Sequence, residues 1–196
     1  YIYMTIFTGE KEADYFIMTD ILNNIEFYSG TERKQMMTKN GRKHPKNAGS
    51  MLYGFTWKGY LSPTKTRTKV ADGVYSTKVR DVYPELDSIY KEYAELYFPT
   101  FEWGQVQMNK DYPCVPHRDS GNIGESVLCC FGDFTGGLTC VDLESKIRKY
   151  DGKLAPVRFD GSKYLHWVED FIGTRYSLVF FHNNSSRKLL KKNICI

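Results

Sequence analysis

Cys114-Val-Pro-His-Arg-Asp119 carries two metal-binding side chains one residue apart, and its reading decides how the rest of the chain is understood. In an extended segment, residues two apart point to the same side, so His117 and Asp119 share a face while Arg118 turns away. A third ligand has to come from elsewhere. The sequence holds four histidines, so their placement is informative. His44 lies in a lysine- and arginine-rich stretch and receives no metal role. His166 sits in the apolar run from Tyr164 to Val168 and is the expected third ligand. A lone histidine in such a run is more often a satisfied polar group. A His-x-Asp pair, a distant histidine, and Arg175-Tyr-Ser177 nine residues after it form a much rarer combination.

Two imidazoles and a carboxylate on one side of a metal leave the opposite positions open, the arrangement of non-haem Fe(II) oxygenases. Arg175 and Ser177 fall on one face of a last strand and offer a planar pair of donors with a hydroxyl. An arginine at the mouth of the apolar strand Leu178-Val-Phe-Phe181 needs an anionic partner if it is buried. A 2-oxo acid that chelates the iron and extends its far carboxylate to Arg175 meets that need, and 2-oxoglutarate is the most economical one.

From Trp103 onward, short β-rich segments alternate with glycine: Gly104 to Asn109, Cys114 to Arg118, Ser126 to Phe131, Leu138 to Val141, Ala155 to Phe159, Tyr164 to Val168, and Tyr176 to His182. With metal ligands on two of them, the pattern predicts a double-stranded β-helix, or jelly-roll. The first half reads differently. Tyr1 to Phe7 alternates like a strand. Phe16, Ile17, Ile21, Leu22 and Ile25 have helical spacing, with Glu12 and Asp14 suited to the helix start and Gly30 to its stop. A loop to about Ser50, strands over Met51 to Tyr60 and Val74 to Val82, and an amphipathic helix between Pro84 and Pro99 follow. The fold class is mainly β with flanking helices (α+β). One domain over 1–196 is expected: support and a DNA-binding region over 1–100, a catalytic core over 101–184, and a tail over 185–196.

At 196 residues, such a domain can bury a core without disulfides. Cys114, Cys129, Cys130, Cys140 and Cys195 are an odd number with no CxxC pair and read as reduced thiols. No apolar run of about eighteen residues and no secretory leader are seen, so no membrane partner and an intracellular location are expected, nuclear in a eukaryote. A monomer is expected. The net charge of +4 is unevenly spread, because Arg33 to Arg80 is rich in lysine and arginine and poor in acids. Tyr53, Phe55, Trp57, Tyr60 and Tyr75 are interleaved there, a mixture suited to neutralising phosphates and stacking bases. The bland alternative is a solvated basic loop.

Asn109-Lys-Asp-Tyr112, Pro116-His-Arg-Asp119 with Gly121-Asn122, Phe131-Gly-Asp-Phe-Thr-Gly-Gly137 and Arg175-Tyr-Ser-Leu-Val-Phe-Phe-His182 together resemble the 2-oxoglutarate and iron dioxygenases of the TET/JBP group. The resemblance spans roughly Trp103 to Asn184. It implies hydroxylation of the methyl group of 5-methylcytosine or thymine in DNA, with Fe(II) and 2-oxoglutarate as cofactors and ascorbate as a stimulant. It makes His117, Asp119 and His166 the catalytic iron ligands and Arg175, with Ser177, the 2-oxoglutarate anchor. His182 would contact a flipped base, with Asn183 helping to read its edge. Asn109, Asp133 and Thr135 are candidates for lining the pocket, and Gly136 and Gly137 suit a tight turn or bulge. A base inside a duplex cannot reach a buried iron, so it must flip out, helped by stacking on Trp57, Phe55 or Tyr53. The chain shows no cysteine-rich zinc-binding extension and no J-binding module, which leaves DNA contacts to the basic region. No second arginine completes an AlkB-like pattern after Arg175, which argues against repair of N-methylated bases. The alternatives are a hydroxylase of a protein side chain or small metabolite, and a catalytically silent cupin-like binding module.

Overall fold

The computed structural model describes residues 5–28, 48–57, 68–71, 73–184 and 186. Among these residues, the chain order is α1 (Lys11–Asn23), β1 (Gly49–Trp57), β2 (Lys69–Ala71), β3 (Val74–Ser76), α2 (Lys78–Val82), α3 (Leu86–Tyr97), β4 (Gln105–Lys110), β5 (Ser126–Phe131), β6 (Phe134–Gly136), β7 (Thr139–Asp142), β8 (Ile147–Tyr150), β9 (Val157–Phe159), β10 (Leu165–Val168), β11 (Phe171–Gly173) and β12 (Tyr176–Phe181). A seven-stranded sheet runs β2-β3-β1-β4-β12-β5-β9, a three-stranded sheet β10-β7-β8, and a ribbon β11-β6. Every strand pair is antiparallel.

Two cores explain why β5 reads as an unbroken apolar run. Its residues Val127, Cys129 and Phe131 join Val106, Met108, Leu178 and Phe180 in a cluster with Met18 and Leu22 of α1 and Leu86, Tyr90 and Tyr93 of α3. Its alternate residues Leu128 and Cys130 pack with Phe134, Val141, Val157 and Phe159 in a second cluster. A strand covered on both faces has no polar alternation to show. The large sheet thus carries helices on one side and the second core on the other, and α3 supplies the amphipathic face that its sequence predicts.

Several sequence expectations shift. Residues 5–7 form no strand, because the Ile6 and Phe7 N–H groups donate to Glu92 Oε1 on α3 at 2.7 and 2.8 Å instead of to a sheet; residues 1–4 lie outside the described ones. Helix α1 ends at Asn23, buries Asp14, Met18 and Leu22, and leaves Phe16 exposed; Gly30 lies outside the described residues. The expected strand over Val74 to Val82 stops at Ser76, where the Thr77 hydroxyl accepts the Arg80 N–H and starts α2. Cys114 to Arg118 is not a strand: Pro113 and Pro116 remove ladder donors, and the segment meets β10 through an isolated bridge between His117 and His166 and through the Cys114 carbonyl, which accepts the Val168 N–H at 3.2 Å. Strands β6, β8 and β11 escape the sequence pattern because they are three or four residues long and largely exposed. Cys114, Cys129, Cys130 and Cys140 are free thiols, and Cys195 lies outside the described residues. No described helix is long and apolar enough to cross a membrane.

Candidate metal centre and its cavity

The bridge between His117 and His166 is what assembles the ligands. Each backbone N–H donates to the other residue's carbonyl at 3.0 Å, bringing a proline-flanked loop alongside β10. Asp119 is placed by its own N–H, which donates to Gly161 O at 2.8 Å. The result is a triad whose ligand atoms all lie within 4.8 Å of one another. Asp119 Oδ1 is 3.7 Å from His117 Nε2, and its Oδ2 is 3.5 Å from His166 Nε2.

The proton positions follow from what faces the other ring nitrogens. His117 Nδ1 lies 2.7 Å from Val115 O, and His166 Nδ1 lies 3.0 Å from Tyr164 O. A carbonyl oxygen only accepts, so both Nδ1 atoms carry a proton, and the Nε2 atoms, which face the shared space, are the ones positioned to offer a lone pair to a metal. Burial, helped by the neighbouring His166, pushes the His117 pKa down despite the opposing pull of Val115 O and Asp119. Two imidazoles and one carboxylate with open space on the far side fit a divalent iron.

Arg175 stands at the start of β12, two residues before Ser177, and is 2 % exposed. Its Nη2 donates to Cys130 Sγ at 3.1 Å and Thr139 Oγ1 at 3.4 Å, and its guanidinium sits 5.5 Å from the Phe134 ring. Among the described residues, Nε has no hydrogen-bond partner, and no carboxylate pairs with the guanidinium. A buried cation with an orphaned donor is costly unless an anion joins it, and a carboxylate suits the fork. Arg175, Ser177 and the triad line one cavity of about 340 Å³, also walled by Leu128, Phe159, Trp167, Val179 and Phe181.

The remaining candidates divide. Asn109 and Asn183 line this cavity. Asn183 Oδ1 also accepts the Ser186 N–H at 3.0 Å, as a cap would. His182 is not among the lining residues; its Nδ1 lies 3.3 Å from Ser186 Oγ, beside Gly104. Asp133 is not brought to the cavity. It is exposed and acts through its backbone carbonyl, which accepts the Thr174 N–H at 2.8 Å, because the tight β6–β11 ribbon turns its side chain outward; Thr135 is likewise exposed. Tyr53 and Phe55 are buried in the molecule at 0 and 1 % exposure, Tyr53 in the helix-side core, so neither is available to stack on a base. The Trp57 side chain, Tyr60 and most of the basic stretch, including Arg33 to Lys46, lie outside what is described.

Three contributors make contacts that the sequence does not reveal, although Gly137 is expected there at a tight turn. Asp111, at φ 47, accepts the Arg175 N–H on Oδ1 at 2.8 Å while its own N–H donates to Arg175 O at 2.8 Å. Gly137, at φ 67, lets the arginine pass: a Cβ there would stand 3.0 Å from Arg175 Cδ and 3.1 Å from Nε. Gly161 similarly lies against His166 Cε1, 3.2 Å from where a Cβ would be. None of these contacts has a local sequence signature.

No family's sequence pattern matches the chain, and no curated protein sequence matches it. Solved structures do. NgTET1 in complex with 5mC DNA superposes with a TM-score of 0.53 at 16% identity, over 89% of this chain and 69% of that one. OsALKBH1 gives 0.47 at 14% identity over 92% and 96%, and a Pseudomonas putida prolyl-4-hydroxylase 0.46 at 12% over 92% and 90%. At these identities the likeness to NgTET1 is one of fold, and the two layers around the triad are the double-stranded β-helix that the sequence predicts.

Proposed function

We propose that this protein is an Fe(II)- and 2-oxoglutarate-dependent dioxygenase that hydroxylates the methyl group of a flipped pyrimidine, 5-methylcytosine or thymine, in DNA. One observation carries the enzyme class: the His117, Asp119 and His166 triad and the buried Arg175, with its orphaned Nε, converge on a single cavity. Bound there, Fe(II) and 2-oxoglutarate would let dioxygen act as the oxidant, one oxygen atom going into the substrate methyl C–H bond and the other into the succinate formed, with carbon dioxide, from 2-oxoglutarate. The chain does the rest. His117 and His166 offer neutral Nε2 donors, Asp119 adds the balancing charge, and Arg175 with Ser177 holds the far carboxylate.

The choice of substrate rests on separate support. NgTET1, whose fold this chain shares, was solved with 5mC DNA. The stretch from Arg33 to Arg80 supplies cations for phosphate contacts. The cavity offers Phe159, Trp167 and Phe181 to a flat ring and Asn183, the residue after His182, to its polar edge. The single-domain division at about residues 100 and 184 belongs to the same proposal.

The experiment is nucleoside mass spectrometry on paired duplexes differing only in thymine or 5-methylcytosine content, after incubation with the protein, Fe(II), 2-oxoglutarate and ascorbate. A gain of one oxygen on one base, absent with His166→Ala, is the expected result. Succinate release without a modified base would defeat the DNA assignment and move the substrate to a protein side chain or small metabolite.

A further inference from the structure

The cavity wall carries a run of polar side chains that neither the metal nor the anion site explains. Ser50 on β1 lies opposite Asn109 on β4, and Asn109 opposite Ser177 on β12. Gln107 shares their face, two residues before Asn109. Gln107 Nε2 donates to Ser50 Oγ at 3.0 Å, Ser50 Oγ to Asn109 Oδ1 at 2.8 Å, and Asn109 Nδ2 to Ser177 Oγ at 3.1 Å. The chain therefore ends on Ser177, which is 5 % exposed and two residues from Arg175.

One fixed point gives this chain its direction. Gln107 Nε2 also lies 2.8 Å from Met51 O, and a carbonyl only accepts, so that end of the Gln107 amide is its NH₂. Ser50 Oγ accepts a hydrogen bond from that NH₂ and donates its own hydrogen to Asn109 Oδ1. The arrangement that satisfies each group turns the carbonyl of Asn109 to Ser50 and its NH₂ to Ser177. Ser177 Oγ then accepts a hydrogen bond from Asn109, and its single hydroxyl hydrogen is left to be donated to another acceptor. With Asn109 reversed, Ser177 would spend that hydrogen on Asn109 and present only lone pairs to an anion.

We propose that Gln107, Ser50 and Asn109 are positioning residues that set the Ser177 hydroxyl as a donor, so that Ser177 and Arg175 together grip the distal carboxylate of a 2-oxo dicarboxylate. The assignment rests on the 2-oxoglutarate reading given above. Each bond in such a relay polarises the next, so the terminal O–H is a better donor than an isolated serine. Selectivity follows as well: a 2-oxo acid without the second carboxylate gains nothing from the relay.

The test uses the whole chain loaded with Mn(II), which does not turn over, and calorimetric titration with 2-oxoglutarate. Ser50→Ala and Asn109→Leu are each expected to weaken 2-oxoglutarate binding by about three- to tenfold, with Mn(II) affinity unchanged. In a Ser177→Ala background, the same substitutions are expected to cause no further loss. Equal losses in both backgrounds would overturn the relay, because the residues would then act directly or through the fold; so would unchanged affinity in the single variants. A wild-type protein that binds Mn(II) but not 2-oxoglutarate would instead overturn the cosubstrate reading, and the relay with it. Ser50→Ala removes one oxygen only and carries the test alone if Asn109→Leu does not fold.

Discussion

Arg175 shows how much the placement of a single buried side chain depends on residues that look unremarkable. Its backbone is clamped on both sides by Asp111, its guanidinium rests on Cys130 and Thr139, and its shaft passes Gly137 so closely that a Cβ there would stand 3.0 Å from Cδ. Gly137 also sits at φ 67, where a side chain is strained. Gly137→Ala is therefore expected to displace the arginine rather than the triad. The measurable outcome is 2-oxoglutarate binding weakened by about tenfold or more, with a stability loss of about 1–3 kcal/mol and metal affinity near wild type. If 2-oxoglutarate binds the variant as tightly as the wild type, the close passage does not matter for the anchor. The triad was legible as residues because imidazole and carboxylate chemistry is a property of the side chain itself; the clamp was not, because Asp111 and Gly137 act through backbone geometry.

Among the elements, the N-terminal segment is tied to the helices by carboxylates rather than by strand pairing. Asp14, on the first turn of α1 and 0 % exposed, accepts four donors: Thr8 N and Oγ1 at 2.7 Å each, Gly9 N at 2.9 Å, and the Tyr97 hydroxyl of α3 at 2.6 Å. Burial is the largest single influence on its pKa and pushes it up, but the bonds from Tyr97, Thr8 and Gly9 outweigh it and leave the pKa below its ordinary value of 3.8. The folded state thus holds this proton less readily than the unfolded one. Its contribution is complete above about pH 4 and fades as the pH falls through the depressed folded value. Asp14→Asn, which turns an NH₂ toward one of the donors, is expected to cost about 1–3 kcal/mol at neutral pH. The penalty should shrink as the pH approaches the folded pKa, which urea titrations at neutral pH and near pH 3 would reveal; a penalty independent of pH would rule out the carboxylate's charge as the cause. Helix α3 was legible in its spacing, whereas the fate of residues 5–7 was not, because Glu92 competes for their N–H groups from 85 residues away.

For the whole molecule, charge and register act at different ranges. If the proposed DNA substrate is right, the lysines and arginines between Arg33 and Arg80 contact phosphate, and replacing Lys39, Arg42, Lys43 and Lys46 by alanine is expected to weaken DNA binding and flatten its salt dependence, each lost phosphate contact lowering the logarithmic slope by about 0.9. Fluorescence anisotropy on one duplex across a salt series measures it; an unchanged slope would remove this stretch from the interface. Arg80 is left out because it already pairs with Asp87 and lies over Phe55. The candidate ligand types, their spacing, the arginine proposed as anchor and the many-stranded pattern were all in the sequence, since each is a property of a residue or of its near neighbours. What the tertiary structure decided is which face each side chain takes and which distant strands meet. Strand pairing put Tyr53 on the helix side and Ser50 on the cavity side of β1, and it joined Ser50, Asn109 and Ser177 across 59 and 68 residues of chain. A one-residue change of register reverses every such assignment, and register is set by the packing of two cores that no local stretch contains.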